Sequence, residues 1–208
     1  MSMYAIKPWF VRRLRRVEDV LVRARVSPDA LTFAAIVVCL ATGAAIAAGG
    51  LTHHPAMWLL VPPLVLIRLA CNALDGSIAR RTGRSRSLGA AINELGDRVG
   101  DAAMIGAAGF AAPPALATGA VAASFLASFT GVLALGLTGS RDYAGPMGKA
   151  DRATLVAIGA AAGAIAGSEV PFVIVLWVIV AGGVVTAAVR FARMRDALGR
   201  EGRDAVRR

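Results

Sequence analysis

Residues 72–101 read NALDGSIARRTGRSRSLGAAINELGDRVGD, a charged stretch set between long apolar runs. Asn72 and Asp75 stand three apart. Asn93, Asp97 and Asp101 stand four apart, so on a helix they share one face, and Glu94 lies close to it. Ionisable groups at membrane depth are costly and mark functional sites. If the two helices that bear them pack side by side, these groups converge from opposite walls. Clustered carboxylates repel one another, and a hard divalent cation with oxygen ligands offsets that charge. With no set of His or Cys ligands nearby, Mg²⁺ or Mn²⁺ is the natural choice. Gly76 follows Asp75 directly, where backbone approaches a ligand closely or makes an unusual turn. Ala79 keeps space open, Arg80 offers a planar fork of donors suited to phosphate oxygens, and Gly89 opens the next helix.

The flanking chain sets this stretch in a bilayer. Of 208 residues 57% are hydrophobic and only 17% charged, with a net charge of +10 and a mean hydropathy of +0.64. A soluble domain of this length carries more charge, spread over its surface. The basic residues flank apolar runs and no nucleic-acid motif is present, so nucleic acid is not an expected partner. Cys39 and Cys71 both lie inside apolar segments and read as small buried hydrophobes. The N-terminus lacks the pattern of a cleavable signal peptide.

Apolar runs near 30–50, 56–74, 88–111, 114–137, 152–167 and 170–190 predict six spans, since a membrane helix needs about 20 apolar residues. The third is interrupted by its acids, and the fifth is short and rich in Ala and Gly. Alternate loops carry Arg80, Arg81, Arg84 and Arg86, then Arg141, Lys149 and Arg152, whereas the turns near His53, Pro113 and Glu169 carry no Lys or Arg. The positive-inside rule then sets both termini and the 72–101 stretch on the cytoplasmic side of an inner or plasma membrane, and six spans agree by parity. Gly96 and Gly100, and Gly159, Gly163 and Gly167, allow close helix packing in lipid. Arg68 is expected to snorkel or to pair with Asp97 or Asp101, and Arg98 to neutralise the same acids. His53 and His54 lack a third metal ligand.

Residues 1–28 form a separate element, in which Ile6, Phe10, Leu14, Val17 and Leu21 recur at helical steps among arginines. This predicts an amphipathic helix on the anionic leaflet with Trp9 at the interface, ended by Ser27-Pro28-Asp29. Residues 29–190 form one membrane domain, and 191–208 a basic cytoplasmic tail ending as a surface helix or frayed end. The fold class is all-α: a polytopic membrane protein with six transmembrane helices and an interfacial N-terminal helix.

The pattern Asp75-Gly76-x2-Ala79-Arg80-x8-Gly89-x3-Asn93-x3-Asp97, preceded by Asn72, resembles the signature of the CDP-alcohol phosphotransferases, D-x2-D-G-x2-A-R-x8-G-x3-D-x3-D. Asn72 and Asn93 stand at the first and third aspartate positions. The resemblance implies a CDP-activated lipid donor such as CDP-diacylglycerol, a small alcohol acceptor, release of CMP, and a homodimer. It implies that Gly76, Ala79, Arg80 and Gly89 cradle the cytidine diphosphate. It further implies that Asn72, Asp75, Asn93 and Asp97 hold the metal, and that Asp97 is the catalytic base for the attacking hydroxyl. Arg141, Lys149 and Arg152 form a compact basic cluster on the same side, suited to a phosphate or an anionic acceptor.

An Asn still ligates through its amide oxygen but brings no charge. Two such replacements predict weaker binding of a second ion, and leave open one metal, a rearranged pair, or an altered donor. Two other readings stand beside the enzyme. One is a non-catalytic scaffold that retains nucleotide-lipid binding without a full two-metal site. The other is a transporter using the acids of the third span, but the sequence lacks the internal repeats and broken helices such a protein would carry.

Overall fold

A computed structural model describes residues 13–206, with side chains through residue 200. Among these residues every regular element is helical: α1 (Arg15–Arg23), α2 (Pro28–Leu51), α3 (Val61–Arg81), α4 (Ser87–Ala107), α5 (Pro114–Thr138), α6 (Lys149–Ala166) and α7 (Val170–Val206), with short 3-10 turns at Pro55–Leu60 and Ala108–Phe110.

Local chemistry sets several of these limits. Ser27 Oγ accepts from the Ala30 N–H at 3.2 Å and Pro28 fills the first turn of α2, where its missing N–H costs nothing. Asp151 accepts from the Gly148 N–H at 2.8 Å and caps α6. Gly139 and Gly167 end α5 and α6 in the left-handed conformation that glycine adopts without strain.

Among the described residues four helical stretches are long and apolar enough to cross a membrane: Pro28–Leu51, Pro55–Arg81, Pro114–Thr138 and Val170–Arg200. α4, with its acids, and the shorter α6 complete the bundle. α2 packs along both α3 and α4, α5 along α7, and α6 bridges α3 and α7. The close approach of α4 to α2 depends on small residues. A side chain at Gly43 would meet the Ala103 carbonyl oxygen at 2.6 Å, and one at Gly100 the Cys39 Sγ at 2.7 Å. At the far end of the bundle Trp58 is buried, donates from Nε1 to the Ile46 carbonyl at 3.1 Å, and meets Phe172 edge-on at 4.9 Å. Leu66, Ile67, Phe129, Ile174 and Trp177 instead point outward, as lipid-facing side chains do.

The structure departs from expectation in α3 and adds detail at both ends of the chain. α3 does not stop near residue 74 but runs on as regular helix to Arg81, so Gly76 makes no unusual turn. Beyond α1, Ile6, Trp9 and Phe10 lie outside the described residues. Within it, Leu14 and Leu21 pack with Val22 and Val26 on Leu31, Leu74 and Ile78, while Val17 is exposed. The helix also binds through its acids: Ser77 Oγ donates to Glu18 Oε1 at 2.9 Å, and Arg81 pairs with Asp19 at 2.5 Å. After Arg190 the tail is helical as a continuation of α7 through Val206, with Met194 buried and most other side chains through residue 200 exposed.

Candidate active site

The charged ends of α2, α3 and α4 surround a cavity of about 720 Å³. α3 and α4 each pack mainly on α2, and the cavity opens between their charged ends, where their side chains bond across to one another. Its wall includes Asn72, Asp75, Gly76, Ala79 and Arg80 from α3, Gly89, Asn93 and Glu94 from α4, and Thr32 from α2. Arg141, Tyr143 and Lys149 close it from the α5–α6 loop and the start of α6.

The acids and amides cross-link the two helices. Asn72 Nδ2 donates to Asp97 Oδ1 at 3.0 Å, and Asn93 Nδ2 donates to Asp75 Oδ2 at 2.5 Å. Asp75 also accepts from Thr32 Oγ1 at 3.2 Å and from the Gly76 N–H at 2.5 Å. Lys149 Nζ lies 2.6 Å from Asp97 Oδ2, and Arg68 Nη2 lies 3.9 Å from Asp97 Oδ1. One turn deeper Asp101 is fully buried, held by Arg68 at 3.0 Å and by Arg152 at 2.6 Å. Arg98 lies 3.6 Å from Glu94 and 3.9 Å from Asp101, and Arg141 pairs with Glu94 at 2.5 Å.

The expected residues thus divide. Asn72, Asp75, Gly76, Ala79, Arg80, Gly89, Asn93, Arg141 and Lys149 all line the cavity. A side chain at Gly76 would meet only the tip of Arg80, at 3.2 Å, so the glycine leaves room above the helix. Asp97 sits behind Lys149, 5% exposed, on a second space of about 10 Å³ that it shares with Arg68, Asn72 and Asn93. Arg152 departs from the expected ligand-binding cluster. It is buried, bonded to Asp101, Ser128 Oγ and the Met147 carbonyl, and lines no part of the cavity. Its place one turn inside α6 turns it toward Asp101 instead of toward the open end.

Sequence reasoning missed the parts that hold the loop. Arg190 donates from Nε to the Ala144 carbonyl at 2.8 Å and from Nη1 to that of Ala127, and Thr186 Oγ1 accepts from the Met147 N–H at 2.9 Å. Gly145, at φ +105°, lies against Thr186, where a side chain would meet it at 2.7 Å. The loop that carries Arg141 to the cavity and leads into Lys149 is therefore pinned on α7. Arg190, which ends the last apolar run, was the one signal for this.

The chain is 38% identical over 158 residues to inner membrane protein YnbA of Escherichia coli, covering 74% of this chain and 77% of that one. It is 36% identical over 89 residues to a phosphatidylinositol phosphate synthase of Cutibacterium acnes, covering 42% and 40%. Two structures of the Mycobacterium tuberculosis phosphatidylinositol phosphate synthase share the fold. The one with CDP-DAG bound has a TM-score of 0.68 at 20% identity, over 86% of this chain and 92% of that one. The one in complex with manganese and citrate has a TM-score of 0.68 at 19% identity, over 86% and 87%. No family model matches the chain.

The chain belongs to the CDP-alcohol phosphotransferase family.

Its apolar helices and its inner-membrane relative make it a multi-pass membrane protein. Against the signature of the CDP-alcohol phosphotransferases, the two replaced aspartates are the residues whose amides now reach across to the two that remain, Asn72 to Asp97 and Asn93 to Asp75. Each substitution exchanges like-charge repulsion for a hydrogen bond between α3 and α4. Among the described residues no group of three or more His, Cys, Asp or Glu side chains is arranged to hold a metal ion. The donor set fits one hard ion better than two: Asp75 with the uncharged amide oxygens of Asn72 and Asn93, all on the cavity wall.

Proposed function

We propose that this protein transfers a phosphatidyl-type group from a CDP-activated lipid, CDP-diacylglycerol or a close analogue, to a small alcohol, releasing CMP. The observation that carries the reading is the convergence of Asp75, Gly76, Ala79, Arg80 and Gly89 on one open cavity, although they come from two helices. The CDP-DAG complex of the mycobacterial synthase supports the choice of donor.

In this reading the nucleotide diphosphate lies over Gly76 and Ala79, where the helix surface is bare, and Arg80 supplies planar donors to phosphate oxygens. Arg141 and Lys149 face the same space from the opposite wall and hold an anionic acceptor or the phosphates. The acceptor hydroxyl attacks the lipid-linked phosphorus, the bond from that phosphorus to the CMP oxygen breaks, and CMP leaves. Asp97 takes the hydroxyl proton. Its carboxylate has about four lone-pair sites, and the hydrogen bonds from Asn72 and Lys149 leave others open. A divalent ion, Mg²⁺ or Mn²⁺, held by Asp75, Asn72 and Asn93 beside Asp97, would offset charge on the diphosphate. The manganese complex of the mycobacterial synthase supports this.

The same reading has six spans, with α4 and α6 crossing beside the four apolar helices, and both termini and the cavity on the cytoplasmic side, on the strength of the loop charges. Residues 1–28 form the juxtamembrane element, 29–190 the catalytic membrane domain and 191–208 the basic tail, and the protein works as a homodimer.

The test is CMP release from CDP-diacylglycerol by purified protein in detergent, with Mg²⁺ or Mn²⁺ and a panel of acceptor alcohols. Release that requires an acceptor and is lost in Asp97→Ala is expected, and the best acceptor names the product. Intact, CDP-lipid-binding protein that releases no CMP with any acceptor would reject the reading.

A further inference from the structure

Five carboxylates stand at or beneath the cavity, and they differ in one respect. Asp29 is paired with Arg86. Glu94 is paired with Arg98 and Arg141, Asp101 with Arg68, Arg98 and Arg152, and Asp97 with Lys149 and, more distantly, Arg68. Asp75 alone has no ion pair among the described residues. Its bonded donors, the Thr32 hydroxyl, the Asn93 amide and the Gly76 N–H, are all uncharged. It is therefore the one carboxylate at the cavity with no cation in contact with it; Lys149 acts on it only through space.

Asp97 is in the opposite condition. A cation sits 2.6 Å from one oxygen, an amide donor 3.0 Å from the other. The space beside it, about 10 Å³, has room for about one water and not for a hydrated ion. A divalent ion on Asp97 would have to displace the Lys149 ammonium or share the carboxylate with it, and like charges a few ångströms apart repel strongly away from water.

Resting on the reading of this cavity as the CDP-lipid site, we propose that the protein holds one divalent ion, at Asp75, and that the Lys149 ammonium on Asp97 stands where the four-aspartate signature would support a second. The loss of two negative charges at Asn72 and Asn93 and the lysine on Asp97 are then one device. The fixed ammonium does part of the charge compensation that the second ion would do, and Lys149 itself lines the cavity.

Mn²⁺ titration of the purified protein in detergent, followed by EPR without lipid donor, counts the ions directly. One Mn²⁺ per wild-type chain without spin coupling between ions is expected, and Asp75→Asn should abolish it. In Asn72→Asp/Asn93→Asp, the further change Lys149→Met should tighten the second Mn²⁺ by about tenfold or more, whereas Lys149→Arg, which keeps the charge, should not. Two spin-coupled ions in the wild type, no bound Mn²⁺ at millimolar concentration, or a second-ion affinity indifferent to the charge at position 149 would each overturn the proposal. The count needs no turnover. Absent CMP release with a single bound ion would reject the functional reading and leave this one, and metal-dependent release with two ions would do the reverse.

Discussion

Asp75 and Asp101 are both buried acids at the charged end of one bundle, yet they sit in opposite surroundings. Asp101 is closed in by Arg68 and Arg152, each about as buried as the acid itself, and touches no part of the main cavity. Asp75 lies one layer nearer the opening, receives only neutral donors and faces about 720 Å³ of open space. Breaking a buried ion pair strands an uncompensated charge, so the deeper layer is built for structure. A carboxylate that faces open space with no cation in contact is free to meet a ligand, as proposed above. The two layers are separated by Asp97, which belongs partly to each: it shares Arg68 with Asp101 and, through Asn72, joins the cavity wall.

Substitutions sharpen or break this contrast. Asp97→Ala should lower CMP release by about 10²–10⁴-fold, the usual worth of a positioned general base, while the melting temperature in detergent moves little, since Lys149 can turn to water and Arg68 keeps Asp101. Asp101→Ala should do the converse. Two buried arginines lose their shared partner, and the expected cost is about 3–5 kcal/mol of stability, read as a collapse of the melting temperature or of expression. Were Asp75→Asn to destabilise the protein as severely as Asp101→Ala, the distinction between a structural and a ligand-facing acid would fail. Gly100→Leu intrudes on Cys39 between the layers and should cost about 1–3 kcal/mol by overpacking, with α4 pushed from α2 and turnover reduced with it. Smallest of all, Arg193→Ala removes a bond to Asp142 from an exposed side chain and should change stability by less than about 1 kcal/mol.

Much of this was legible along the chain. Helical steps of three and four identified Asn72, Asp75, Asn93, Asp97 and Asp101 as one group, and they do converge across α3 and α4. Arg68 was expected to find Asp97 or Asp101 because a lone charge in an apolar helix must be compensated, and it finds both. The limits of α3 were not legible, because the polar residues that end a hydropathy run do not end a helix when they face a protein cavity. The role of Arg152 was hidden for a related reason: a basic residue after a turn reads as loop charge until its depth is known. Nor did the pattern of α1 reveal that Glu18 and Asp19, its acids, dock on Ser77 and Arg81, since long-range polar partners leave no local period.

By itself, then, the sequence determined the helical fold, the family and the set of polar residues that meet at one end of the bundle, because those follow from local periodicity, hydropathy and short-range spacing. Only the tertiary structure decided how the charges are shared out. Whether a carboxylate is answered by a lysine of α6, by two arginines from α3 and α6, or by none depends on depth and direction across helices that are far apart in the chain. That sharing separates Asp101, closed in by two buried arginines, from Asp75, which lines the open cavity and is bonded only by neutral donors.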